Sequence, residues 1–512
     1  MDTVNSSTLS TTSYLISAVF TSCVLFLLCW YTKCNEFYKG IQVVGPTEDG
    51  LSPSEAKKKY GQSALSILAE GKQTAKGAFQ VCTEAGVMII LPSRYLAEIK
   101  SDARFGTDDA SKKTFMAEVP GFDGFHALLN HNMLQDMIRT KLTQNLGTMT
   151  SDIVEETSLA AESILGFPDE WTEIRPMDPI YYLVARVSSR VFAGAPLCRD
   201  PMWLRIAVSY TVLAFDAARA LRFWPERIRP FVHWFVPECA RLRKGVWEAR
   251  RVLGPEIDKM KHEWEQLRKD DGGRRLNKNT ISMMLDVAKG RPVDLVETQL
   301  GLTAAAMHTT TDMIVQVLYQ LCTYPKYVEP MREEIERVLQ ESGGSLTKKT
   351  ALYELKFMDS FLKETQRLKP TSLTSAQRVP SEDVMLSDGT FLPRGSHVAI
   401  LNDGCWDSQF FENPQSFDPY RFLKMRKVPG RENSSQFVTT TPEHLGFGHG
   451  IHACPGRFFA SNEIKIVLCH LLTQYDWKLA SGQEPPQPLV VGAEMMANPE
   501  AKLMYKKRGT RY

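Results

Sequence analysis

Residues 445–460 read LGFGHGIHACPGRFFA, and this stretch limits what the 512-residue chain can fold into more than any other. Phe447, Gly450, Cys454 and Gly456 set a Phe-x-x-Gly-x-x-x-Cys-x-Gly frame, with Gly448 inside it. Glycines let the backbone turn tightly and approach a flat ligand where a side chain would intrude. Pro455 suits the first turn of a helix, and Gly456 permits close packing there. A cysteine just ahead of a helix N-terminus meets unpaired N–H groups and the positive end of the helix dipole. Both favour the thiolate. Such a thiolate, held among aromatic residues, is a suitable axial ligand for haem iron. A lone cysteine otherwise reads as a small buried hydrophobe. The glycine and phenylalanine frame is what changes that.

The frame resembles the cysteine loop of the cytochrome P-450 family, and three further motifs are similar to that family's. In LKFMDSFLKETQRLKP, ended by Pro370, Glu364 and Arg367 stand at i, i+3 on one helix face. Taken alone, such a pair reads as solvated. The resemblance implies that it is buried beneath the cysteine loop and bonded to Arg421 of FDPYRF, holding the loop in register. A second long helix is expected over residues 293–324, with Gly301, Ala304, Ala305 and Ala306 making a face small enough to pass close over a cofactor. Thr309 falls at i+4 from Ala305, on that face. The resemblance implies that Thr309 helps deliver protons to iron-bound oxygen. The family's glycine and acid are replaced here by Ala306 and His308. His308 either relays protons itself or is a hydrogen-bonded helix histidine. Filamentous-fungal members commonly share this His-Thr-Thr pattern. Arg378 matches the family's propionate-binding arginine, and His452 stands where the family often has another. Trp171 and Arg175 spell a further family motif but lie between Pro168 and Pro176, outside the expected helix. That helix is expected nearer residues 131–146, where Arg139 and Lys141 are weaker candidates.

Elsewhere the chain reads as mainly α with a minor β region. Short β-rich runs at 79–82 and 87–91 precede a helical expanse from about 130 to 370. Pro168, Pro196, Pro225, Pro292 and Pro325 mark element boundaries, and Ser387-Asp388-Gly389 marks a hairpin. From Tyr14 to Tyr31 there is no charge, while Lys33 and Lys39 follow, which predicts a single membrane anchor with the bulk of the chain cytosolic. The expected organisation is a lumenal end at 1–13, an anchor at 14–31, a linker at 32–53 and one haem-thiolate domain at 54–512. Asn5-Ser6-Ser7 is a glycosylation acceptor on the lumenal side.

Sixty-one basic against 59 acidic residues leave +2, which gives no sign of a nucleic-acid partner. The ten cysteines form no Cys-x-x-Cys, so zinc knuckles and thioredoxin-type sites lack their spacing. The resemblance implies a monooxygenase of the cytochrome P-450 fold, with haem b on Cys454 and electrons passed from NADPH through a separate cytochrome P-450 reductase of the endoplasmic reticulum membrane. Lys424, Arg426, Lys427 and Arg431 are either a docking patch for that partner or a solvated charged loop. By the same analogy a lipophilic substrate meets Phe115, Phe122, Phe125, Leu300, Thr303, the 373–376 run, Met495 and Met496. A terpenoid or indole-diterpene-like polycycle of secondary metabolism is the expected substrate, and hydroxylation the expected outcome. Epoxidation, desaturation or rearrangement use the same iron chemistry. A reductase-independent isomerase or peroxygenase, and a haem sensor, are the rival classes.

Overall fold

The computed structural model describes residues 37–45, 52–106, 112, 114–129, 132–270, 279–348 and 350–509. The expected anchor at 14–31 and Asn5 lie outside the described residues, and among the described residues no helix is long and apolar enough to cross a membrane. The helices that matter for the site are α1 (Pro53–Thr74), α2 (Asp123–Leu129), α3 (Thr143–Leu165), α4 (Met177–Phe192) and α5 (Pro201–Arg222). Then follow α6 (Pro237–Asp270), α7 (Thr280–Ala288), α8 (Leu295–Thr323), α9 (Val328–Glu341), α10 (Lys356–Leu368) and α11 (Arg457–Gln474). Pro168, Pro196, Pro225 and Pro292 fall between helices, and Pro325 opens a short 3-10 turn, Pro325–Tyr327. Pro255, by contrast, sits inside α6.

Helix α8 is the axis of the molecule. Asp294 caps it by accepting the N–H groups of Val296 and Glu297 at 2.9 and 3.0 Å, which satisfies donors that the helix itself leaves unpaired. Nearly every residue from Leu295 to Cys322 is buried, as expected of a helix apolar around its circumference. It packs against α2, α4, α5, α10 and α11. Gly301 is what admits α2. A Cβ on Gly301 would sit 2.7 Å from the Gly124 carbonyl oxygen, and one on Gly124 would sit 2.8 Å from the Leu300 carbonyl carbon. Gly301 therefore serves a helix-to-backbone contact instead of the expected approach to a cofactor.

The sheet lies beside this helical body. Its strands are β1 (Gln42–Val43), β2 (Phe79–Thr83), β3 (Gly86–Leu91), β4 (Phe105–Gly106), β5 (Thr374–Pro380) and β6 (His397–Leu401), in the spatial order β1-β2-β3-β6-β5-β4. The central pair β3 and β6 is parallel, from Met88 opposite His397 to Leu91 opposite Ile400. Both faces are covered. Ile89, Leu91, Val398 and Ile400 enter one apolar cluster, while Met88, Ile90, Ala399 and Leu401 enter another, the alternation a pleated strand imposes. The expected hairpin forms between Val384–Met385 and Phe391–Leu392, with Gly389 at φ +87°.

Candidate active site

Two elements meet the cysteine loop from below: α10 and the chain that returns from it. Lys363 of α10 donates to the carbonyls of Ser434, Gln436 and Thr439 at 3.2, 2.8 and 2.7 Å. A Cβ on Gly446 would collide with Gln366 of the same helix. Glu364 and Arg367 are wholly buried and join through two 2.8 Å bonds. Arg421 Nε donates to both Glu364 oxygens at 3.1 Å. The two arginines also donate to the carbonyls of Cys405, Glu412, Asn413, Pro414 and Ser416. This triad clasps the 404–421 loop, while Lys363 and Gln366 hold the approach to the cysteine.

The loop itself needs its glycines. Gly448 and Gly450 have φ of +69° and +70°, a region that favours residues without a Cβ. The reversal they allow lets the Cys454 N–H donate to the Phe447 carbonyl at 2.8 Å. Arg457 donates back to the Cys454 carbonyl at 2.8 Å. Helix α11 opens at Arg457 with Gly456 at its cap, two residues later than Pro455 suggests. Among the described cysteines Cys454 alone keeps some exposure. Its thiol is nonetheless pushed up by the surrounding protein, and the N–H groups of Gly456 and Arg457 only partly pull it back. The helix end thus does not by itself outweigh burial. A coordinated metal ion would, because it deprotonates a thiol outright.

On α8, Ala305 and Thr309 are exposed in the middle of an otherwise buried helix. The Thr309 hydroxyl bonds the carbonyls of Ala305 and Ala306 at 3.1 and 3.3 Å. His308 turns elsewhere. Its ring meets Tyr181 of α4 edge-on at 4.6 Å, its Nε2 has no hydrogen-bond partner, and burial lowers its pKa to about 4. It is a neutral imidazole near pH 7, and no hydrogen bond joins it to Thr309 among the described residues.

The Cytochrome P450 family profile matches residues 126–506. The chain belongs to the cytochrome P450 family. It is 41% identical to cytochrome P450 monooxygenase ntnM of Nectria sp over 89% of this chain and 86% of that one. It is 38% identical to monooxygenase adrA of Penicillium rubens over 90% of each. Like these curated relatives it is a cytochrome P450 monooxygenase, an oxidoreductase. The fold also matches retinoic-acid-bound cyanobacterial CYP120A1, at a TM-score of 0.64 and 15% identity over 88% of this chain and 96% of that one.

A P450 needs a place for haem, and the residues present fit it. Arg378 is 4% exposed with its Nε unpartnered, and burial lowers its pKa to about 10. This is a cation short of an anion, such as a propionate would supply. The register of β5 against β6 shifts between Ser375 and Arg378, and Ala376 takes φ +48°. Such a bulge re-aims the side chains that follow it. Phe447 packs edge-on against Phe437 at 5.1 Å. His452 ends an exposed turn, Gly450–His452. Arg139, one of the weaker sequence candidates, donates to the Ile451 carbonyl at 3.0 Å and so ties its helix to the loop. Trp171 and Arg175 are remote from all this. Trp171 lies under Lys478 and Lys506, and Arg175 pairs with Glu500.

Among the expected pocket residues of this P450, Phe115 and Phe125 stack at 5.0 Å. Phe215 of α5, which sequence spacing alone did not suggest, meets both at 6.3 and 6.2 Å. Leu373 and Met495 instead fill the apolar cluster on one face of the sheet. Arg426 pairs with buried Asp359, so it is not free to greet a partner. Lys424, Lys427 and Arg431 are exposed.

Proposed function

We propose that this P450 inserts one oxygen atom of O2 into a bulky lipophilic secondary metabolite, with a terpenoid or indole-diterpene-like polycycle as the substrate class. The observation that carries the reading is the pairing of Cys454, the one partly exposed cysteine among the described residues, with an opening at Ala305 and Thr309 in a buried helix. Haem b bound there through the Cys454 thiolate supplies the oxygen-activating chemistry. Lys363 and Gln366 hold the approach to the loop that presents the sulfur, and Glu364, Arg367 and Arg421 clasp the preceding 404–421 segment. Gly448 and Gly450 allow the reversal of the cysteine loop, and the Phe447 carbonyl accepts the Cys454 N–H. Arg378 would neutralise a propionate, and His452 would donate a hydrogen bond to one. Thr309 holds a proton at its hydroxyl for transfer. His308, neutral and turned to Tyr181, is assigned to the helix packing and not to the relay.

Electrons come from a separate NADPH–cytochrome P450 reductase, with Lys427 and Arg431 left to meet an acidic partner while Lys424, though exposed, pairs with Asp418 at 3.0 Å. The domain assignment keeps 14–31 as the anchor and the endoplasmic reticulum as the membrane. An exposed aromatic segment supports a lipid surface: Phe223, Phe231 and Phe235 are 67%, 71% and 86% exposed, beside exposed Trp224 and Trp234. The test is the reduced carbon monoxide difference spectrum of the purified protein, followed by product masses after feeding polycycles with reductase and NADPH. A missing thiolate-type Soret band overturns the site. Turnover that needs no reductase moves the protein to the isomerase or peroxygenase class.

A further inference from the structure

The strand Glu494–Met496 is docked on the chain leaving α10 by backbone bonds, Leu373 N–H to the Ala493 carbonyl at 2.7 Å and Met495 N–H to the Thr371 carbonyl at 3.1 Å. Beyond Met496 the fastening changes. Asp312 of α8 accepts the Ala497 N–H at 2.6 Å, and the Tyr319 hydroxyl donates to the Asn498 carbonyl at 2.8 Å. Thr309, Asp312, Gln316 and Tyr319 stand at i, i+3, i+7 and i+10, one stripe along the helix. Gln316 is 1% exposed, and neither of its amide atoms has a partner. A buried, partly unpaired polar seam adheres less well than an apolar one. Its value lies in fixing where the strand ends relative to the helix.

We infer that Asp312 is a positioning residue for substrate selection, its carboxylate setting the height of the Met496 turn over the face of α8 that carries Thr309. This rests on the proposed reading of that face as the oxygen side of the haem pocket. Residues 309 and 312 are separated by roughly 4.5 Å of helix rise, so any movement of the Ala497 tether is felt directly beside Thr309. Burial raises the Asp312 carboxyl to about 6, against the pull of the Ala497 N–H and of Lys369. Lys369, just past α10, is itself lowered to about 8 by burial. Tyr319 is the titratable neighbour on α8. Glu500, on the clamped segment, pairs with Arg175. Near neutral pH the tether is therefore an ionised carboxylate opposed by an ammonium, and in acid it weakens to a neutral acceptor.

The haem-loaded full chain tests this by amide hydrogen exchange of the 497–501 segment and by optical titration with imidazole and with phenylimidazole. In Asp312→Ala the exchange rises about tenfold. Phenylimidazole binding weakens about fivefold while imidazole stays within about twofold, because only the larger ligand reaches the turn. Asp312→Asn, which keeps an acceptor oxygen, restores both. Should Asp312→Ala fail to fold, Tyr319→Phe loosens the Asn498 end and raises exchange there. Unchanged exchange, or equal weakening of both azoles, overturns the inference. If neither azole perturbs the haem spectrum, the reading of the Thr309 face as the oxygen side of the haem pocket fails instead, and the exchange measurement still decides the clamp.

Discussion

Glu364 has no exposed surface and faces two guanidinium groups, with the Asp418 N–H as a further donor at 3.0 Å. Removing the carboxylate leaves Arg367, itself fully buried, without its counter-charge. Breaking such a pair from one side costs about 3–5 kcal/mol. Glu364→Ala should lose that much in denaturant unfolding, and the haem-loaded fraction should fall with it. Glu463 of α11 is the opposite case, a buried carboxyl with one partner, the Ser188 hydroxyl at 2.6 Å, and one oxygen unpaired. Burial raises its pKa to about 8, so the folded state holds a proton that the unfolded chain releases near the ordinary carboxyl value. The stability it contributes is complete in acid and is lost as pH rises through about 8. Glu463→Gln should hold its unfolding temperature between about pH 7 and about pH 9, where the wild type declines. Equal pH slopes for the two proteins would refute this assignment.

The element that sequence reading located most closely is α10, expected to end before Pro370 and observed at Lys356–Leu368. Its local signals are strong: an amphipathic stretch, a proline stop and charges three residues apart. Those signals are local, and so was what could be read. Arg421 is placed only by the resemblance of FDPYRF to the family's loop. Phe215, Arg139 and Asp312 act through partners 90 to 312 positions distant in the chain, and no periodicity reports such a meeting. Gly301 shows the same limit. Its small size was legible, but the Gly124 carbonyl that requires it comes from α2. Gly301→Ala should force α2 off α8, at about 1–3 kcal/mol for an overpacked contact. Because α2 carries Phe125 in the stack with Phe115, azole binding should weaken in the same variant. A thermal shift with unaltered azole affinity would separate the packing from the pocket.

At the scale of the whole molecule, α8 ties the parts together. One helix touches α2 and α5, which carry the aromatic stack, and α10 and α11, which flank the cysteine loop. The surface then divides by chemistry. Five exposed aromatic residues, Phe223, Trp224, Phe231, Trp234 and Phe235, fall close together within 223–235, between α5 and α6, and an apolar patch of this kind marks an interaction site. On the proposed membrane reading, Phe231 and Phe235 would enter a lipid interface, where aromatic rings are favoured, while α5 and α6 hold the core. A chain lacking residues 1–36 cannot use the uncharged 14–31 run, so any lipid affinity it retains belongs to this segment. That shortened chain should float with phospholipid vesicles in a density gradient. The double substitution Phe231→Asp and Phe235→Asp should leave it at the bottom, with the carbon monoxide spectrum unaltered because neither side chain touches the core. Equal flotation of both chains would assign the lipid contact elsewhere.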